Sequence, residues 1–149
     1  DVLSKLLVTD RLQLPEDVLR REIAFYLQAG AHSTANATVH ALHDLLGWVQ
    51  ADPSRRDTLL ADPAWLQRCV HESLRLNPAS PVALRRAREA VEVAGLQFDA
   101  GDLVTVNLHA ANRDPSVFGA DAGEFNPSRG LDAGVWPFGL TFGYGVHAV

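Results

Sequence analysis

Gly139-Leu140-Thr141-Phe142-Gly143-Tyr144-Gly145-Val146-His147-Ala148-Val149 is the stretch on which the fold turns: three glycines among aromatic residues, one histidine, and no helical pattern after them. Glycine takes positive φ and lets a partner approach the backbone closely, so this spacing describes a loop shaped around something flat. A plain coil has the same composition. The choice between the two falls to the residues that come before.

Working outward, the whole chain of 149 residues is 47% hydrophobic, the range of one globular domain with a sizeable core. A formal net charge of −5, with no basic run interleaved with aromatics, excludes a nucleic-acid or anionic-membrane surface. Cys69 is the single cysteine, which rules out an internal disulfide and suits a reducing compartment, here the cytoplasm. No charged residue stands between Glu22 and Asp44, but Gln28, His32, Ser33, Thr34, Asn36, Thr38, His40 and His43 interrupt that interval. The polarity fits a helix of a soluble protein rather than a membrane span. With no initiating methionine or signal pattern, Asp1 reads as a cut start.

Upstream of the loop the pattern is mostly helical. Val2, Leu3, Leu6 and Leu7 form one apolar face of a helix tail, and Thr9 to Leu14 break it as a loop. Pro15, Glu16 and Asp17 open a helical pattern that runs to about Gln50, roughly 35 residues and about 50 Å, longer than a domain of this size needs. Its middle, Ala29-Gly30-Ala31-His32-Ser33-Thr34-Ala35-Asn36-Ala37, carries no large side chain except the imidazole. A glycine within a helix costs about 1 kcal/mol relative to alanine, so close approach of a flat ligand or of another helix is expected there.

Ala51-Asp52-Pro53 ends that helix, Ser54 to Ala61 forms a short one, and Asp62-Pro63 starts a third that Asn77-Pro78 stops. On the third, Leu66, Cys69, Val70, Ser73 and Leu74 repeat at helical spacing, and Glu72 and Arg75 sit three apart, near enough to pair. Val91-Glu92-Val93 and Leu96-Gln97-Phe98 flank Ala94-Gly95 as a hairpin, and Asp99 to Asp102 turn into Leu103 to Val106, together a small sheet. A short helix from Asn107 to Asn112 leads into a long stretch of loop, of the kind that usually carries function.

Four separated motifs, in order and spacing, make the chain resemble the later part of a cytochrome P-450, a haem-thiolate monooxygenase of soluble bacterial type. Ala29 to Thr34 resembles the distal oxygen-binding groove of the family's long central helix, and Glu72-Ser73-Leu74-Arg75 matches its Glu-x-x-Arg helix. Ala111-Asn112-Arg113-Asp114-Pro115, continued by Phe125-Asn126-Pro127-Ser128-Arg129, is similar to its meander, and Phe142-Gly143-Tyr144-Gly145-Val146-His147 to its haem-binding loop. The resemblance implies a mainly α fold with a small β-sheet region. It also implies that residues 1–149 are less than half of one cytochrome P-450 domain, a fragment whose earlier helices and strands are absent.

The same resemblance assigns roles. Glu72 and Arg75 are expected to form a buried ion network with the meander arginine, Arg129 rather than Arg113; the competing reading is an exposed helix pair. Ala29, Gly30, Arg85, Phe142, Gly143, Gly145 and His147 are the expected cofactor-binding residues. Arg85, ten residues before Gly95, and His147 correspond to the two that meet haem propionates, with Arg86 and Arg88 left to solvent. For proton delivery Ser33, His32 and Thr34 are the candidates, with two departures: serine stands where threonine is usual, and His32 replaces the usual acid. His40, His43 and Asp44 share a helix face, but as a polar stripe rather than a metal site, and Cys69 reads as a buried structural thiol.

The largest departure is at the end, where Val149 occupies the position of the cysteine whose thiolate binds iron. Valine has no donor atom, so the chain as written holds no metal ligand.

Two functions remain open at this point. In the first, the parent protein is a monooxygenase that binds haem b, draws electrons from NAD(P)H through a ferredoxin or flavoprotein, and oxidises a small, mostly apolar molecule, in a setting of secondary metabolism. In the second, the chain is a haem-free scaffold or helper, such as an activator of a glycosyltransferase. Neither reading names the substrate.

Overall fold

The computed structural model describes Lys5, which is helical, and residues 14–145; the rest of the helix tail and the loop expected before Leu14 lie outside the described residues. From Leu14 to Gly145 the elements run in order: α1 (Glu16–Ala51), α2 (Arg55–Ala61), α3 (Pro63–Leu76), β1 (Val82–Arg86), β2 (Val91–Val93), β3 (Leu96–Phe98), β4 (Leu103–Asn107), α4 (Leu108–Ala111) and α5 (Pro115–Phe118). Among the described residues, no helix is long and apolar enough to cross a membrane. The chain divides into two compact units, Asp1–Asn36 and Ala37–Val149, with the division falling within α1.

In the first unit, α1 starts with Glu16 and Asp17 against the positive end of the helix dipole. Glu16 pairs with Arg20 at 2.6 Å, and Asp17 pairs with Arg21, one helical turn on. These exposed pairs support the helix locally by a few tenths of a kcal/mol each.

The second unit is centred on α3. Pro63 occupies its first turn, and the Asp62 carboxylate accepts from the Ala64 N–H at 2.9 Å, capping the N-terminus. One face of α3 is buried through Cys69, Glu72, Ser73, Arg75 and Leu76, while the 3.6-residue period leaves the opposite face in water. The end of α1 is tied to this helix by Asp44, which accepts from the Ser73 hydroxyl at 2.6 Å and the Asn77 amide at 3.0 Å. Trp48, from the same part of α1, meets Trp65 and Phe125, with the Arg55 guanidinium 4.5 Å from its ring centre.

The strands form two two-stranded ribbons rather than the one small sheet expected from their spacing. β2 pairs with β3 as the expected hairpin, Val93 opposite Leu96 across Ala94-Gly95. β4 pairs not with that hairpin but antiparallel with β1, Arg85 opposite Val104. The pairing continues beyond the strands, from Ala87 N–H to the Asp102 carbonyl and from Gly101 N–H to the Ala87 carbonyl. The β2–β3 hairpin therefore lies within the connection between two partners distant in sequence. Strand periodicity marks each strand but not its partner.

Two short helices then cap themselves: the Asn107 side chain accepts from Ala110 N–H, and the Asp114 side chain from Ser116 N–H. The remaining residues to 145 form successive turns. They pack on α3 mainly through polar contacts, since among the described residues the buried apolar side chains are few: Ala41, Cys69, Leu76, Phe118 and Ala122.

Candidate functional site

The densest construction among the described residues surrounds Arg75, which has no exposed surface. Its Nε donates to Glu72 Oε2 and its Nη2 to Oε1, each at 2.7 Å, a bidentate pair one helical turn apart. Nη1 donates to the carbonyls of Asn112 and Ala122, and the second N–H of Nη2 reaches the Glu124 carbonyl at 3.3 Å. All of the guanidinium's donors are thus used, and the Phe118 ring lies 4.8 Å from its carbon. An arginine buried this way needs both the carboxylate and the turn carbonyls, because a stranded buried charge costs several kcal/mol.

Arg129 closes the arrangement from the other side. Its Nη2 is 3.2 Å from Glu72 Oε1, its Nη1 meets Asp121 Oδ1 at 2.5 Å and the Phe118 carbonyl, and it shares the Glu124 carbonyl with Arg75. Asn126 N–H adds a bond to Glu72 Oε1 at 3.1 Å. Two carboxylates therefore balance two guanidiniums. The hydrogen bond from Asn126, then that from Arg129, hold the Asp121 carboxyl below the usual carboxylate range. Chemically this network fixes positions: both Glu72 oxygens are engaged, and every N–H of the Arg75 guanidinium has an acceptor. Arg113, the other meander arginine, instead donates to the His109 carbonyl.

Beside the network the closing loop lays a run of rings on α3. Trp136 stacks on Phe138 at 5.6 Å, and Phe142 and His71 meet the Phe138 ring edge-on at 5.1 and 5.5 Å. Burial pushes the His71 imidazole below its ordinary value of 6.5. A groove of about 550 Å³ runs along this contact, lined by Leu66, Val70, His71, Leu74, Phe138 and Phe142. Phe142 remains 44% exposed, and Gly143 and Gly145 both take positive φ, +81° and +92°. His147 and Val149 lie outside the described residues.

Arg85 lies exposed on β1, its Nη1 on the carbonyl of its neighbour Leu84 at 2.8 Å, whereas Arg86 reaches across the ribbon to the Gly101 carbonyl at 2.6 Å. In the first unit Ala29, Gly30, His32, Ser33 and Thr34 are all exposed on α1. Ser33 Oγ donates to the Ala29 carbonyl one turn back at 2.6 Å. A Cβ added to Gly30 would meet nothing within 4 Å.

His43 Nδ1 lies 3.6 Å from Asp44 Oδ1, but Asp44 serves the tie to α3, and no group of three or more metal-binding side chains occurs among the described residues. Cys69 is fully buried, and burial pushes its thiol up to about 11, so it stays protonated at neutral pH.

Sequence reasoning gave no role to Asn112, Asp121, Asn126 or Thr141. Asn112 has no exposed surface; its Nδ2 donates to the Arg75 carbonyl at 3.0 Å, and its Oδ1 accepts from Leu140 N–H at 2.7 Å. Pro78, which has no N–H, is the signal for Thr141: it leaves the Leu74 carbonyl without its helical partner, and the Thr141 hydroxyl, itself held by Asn112, supplies the donor instead.

Comparison with known proteins gives one consistent relationship. The family model described as Cytochrome P450 matches residues 56–148. The chain is 40% identical over 95 residues to Cytochrome P450 750A1 of Pinus taeda, covering 60% of this chain and 18% of that protein. It is 41% identical over 92 residues to the Cytochrome P450 family protein EryCII of Saccharopolyspora erythraea, covering 62% and 24%. The chain thus spans a quarter or less of these relatives' length. The solved structure of the open cytochrome P450 Eryk from S. erythraea superposes with a TM-score of 0.77 at 28% identity, over 100% of this chain and 36% of that one.

Proposed function

The chain belongs to the cytochrome P450 family, and from that premise we propose that the protein is a haem-dependent monooxygenase acting on a small, mostly apolar organic molecule. The cofactor of the family is haem b, with electrons supplied through a redox partner. NAD(P)H as the source, a ferredoxin or flavoprotein as that partner, and a cytoplasmic location belong to the same proposal, as does the placing of both units in one cytochrome P450 domain. The observation that carries the reading is the closed Glu72, Arg75 and Arg129 network, because so costly a buried ion cluster suits a fold that must hold the loop beside it in one shape.

Haem meets a divided fit. The exposed Phe142 ring and the positive-φ turns at Gly143 and Gly145 suit an apolar porphyrin face, and the exposed Arg85 cation suits a propionate, with His147 as its partner in that role. These residues would supply no donor to the iron. Val149 has no donor atom, and Cys69 is a protonated thiol within α3.

What the chain's own residues contribute is therefore support and proton handling. The network keeps the α3 side rigid. His32 presents an exposed imidazole, a group able to carry a proton, and Ser33 and Thr34 are the hydroxyls beside it. Delivery by Ser33 requires its Oγ to leave the Ala29 carbonyl, a rotation about one side-chain bond.

The test uses the full-length protein with Val149 and with Val149→Cys. Reduced under carbon monoxide, the cysteine variant is expected to show the red-shifted Soret band of a thiolate-ligated ferrous haem, and the valine form to lack it. No such band in Val149→Cys would overturn the proposal. The haem-free reading, with a glycosyltransferase as partner, rests on Val149 together with His32 and Ser33, and no further observation favours it.

A further inference from the structure

We propose that Asn112 is the positioning residue of the closing loop, fixing the segment from Gly139 to Thr141 to the last turn of α3. This rests on the reading of that loop as the haem loop.

The argument starts from the end of α3. Asn77 N–H bonds to the Ser73 carbonyl, the last regular bond of the helix, and Pro78 then offers no N–H for the carbonyl of Leu74. The carbonyls of Leu74 and Arg75 are helix-end acceptors in need of outside donors. The Thr141 hydroxyl donates to the first at 2.7 Å, and Asn112 Nδ2 to the second at 3.0 Å. Asn112 Nδ2 also donates to Thr141 Oγ1 at 3.1 Å, while Oδ1 accepts from Leu140 N–H at 2.7 Å. The loop is thus the C-terminal cap of α3, with one amide at its centre.

Asparagine is the residue this place demands. Two donors face two oxygens, and one acceptor faces an N–H; aspartate would set an oxygen against the Arg75 carbonyl, and leucine would strand all three partners. The loop is shaped to match. A Cβ on Gly139 would lie 2.7 Å from Asn112 Cγ and closer still to Oδ1, so the amide packs directly on a backbone that only glycine leaves open, here at a φ of +59°.

The same residue is joined to the ion network. Arg75 Nη1 donates to the Asn112 backbone carbonyl at 2.5 Å, while Asn112 donates back to the carbonyl of Arg75. The two residues exchange bonds in both directions. A shift of the guanidinium therefore moves the amide from which the loop departs, and Phe142 and the residues after it begin two positions beyond that anchor.

Amide hydrogen exchange in the full-length protein, without haem, tests this. In Asn112→Ala, exchange at Leu140 N–H is expected to accelerate about tenfold, as for loss of one ordinary buried hydrogen bond, while Asn77 N–H, bonded within α3, keeps its rate. Equal acceleration at both amides, or none at Leu140, overturns the proposal. Should Asn112→Ala fail to fold, Thr141→Val reads the same anchor from its half-exposed side and is expected to accelerate Leu140 selectively; no change there also overturns it. The haem reading fails on the carbon monoxide spectrum and the anchor on exchange, so the two are told apart.

Discussion

Two motif-bearing regions of this chain are built in opposite ways. Around Glu72 and Arg75, side chains with 5% and 0% exposure are locked by partners drawn from far along the sequence. Along residues 29–34 of α1 every side chain is exposed, and Ser33 is satisfied within its own helix turn. The contrast teaches that one motif is structural before it is chemical, while the other leaves its polar groups where they can change partners. A charge that is fully desolvated must have every bond made, whereas a hydroxyl in water costs little to release.

The strongest way to break this contrast is Glu72→Gln. Both guanidiniums lose their buried counter-charge, and chemical denaturation is expected to show a loss of about 3–5 kcal/mol. A loss below about 1 kcal/mol, the range of an exposed pair, would put Glu72 in the same class as the surface residues of α1.

Glycine substitutions sharpen the comparison, because their effects have opposite signs. Gly139→Ala forces a methyl group into the Asn112 amide at a positive φ and is expected to cost at least about 1–3 kcal/mol. Gly30→Ala meets open space within a helix and is expected to stabilise by about 0.5–1 kcal/mol. Thermal unfolding of the two variants checks the pair, and equal signs would break it.

The smallest effect is on acid. Asp121 has a folded pKa below its ordinary 3.8, so its contribution is complete above that value and is lost as pH falls through the lower, folded value. His71 is also lowered, from 6.5, because burial favours its neutral form; its contribution is complete above pH 6.5 and declines as pH falls below it. Stability should therefore soften first just below pH 6.5 and again below 3.8. His71→Phe is expected to remove the first step alone, read as unfolding midpoints across pH.

Much of this was legible in advance at the level of elements. Pro15, Pro53, Pro63 and Pro78 punctuate the helices within a residue or two of their observed limits, since proline acts on its own backbone and its neighbour's. The Glu72–Arg75 spacing was equally plain, but spacing alone is the same on a wet face and a dry one; the buried network with Arg129 was legible only through the family resemblance. The β1–β4 pairing also escaped, because the strands that pair are separated by a complete hairpin.

Asn112 and Asp44 show why the remainder stayed hidden. One appeared only as a letter in the meander and the other as part of a polar stripe, yet each joins segments some thirty or more residues apart. By itself the sequence determined the first four helices, their breaks, the family and the absence of a donor at 149, all of which depend on local backbone chemistry or on the identity of one side chain; α5 fell in a stretch read as loop. Only the tertiary structure decided which polar groups are buried and with what they are satisfied. Desolvation and hydrogen bonding depend on neighbours in space, and those neighbours come from everywhere in the chain.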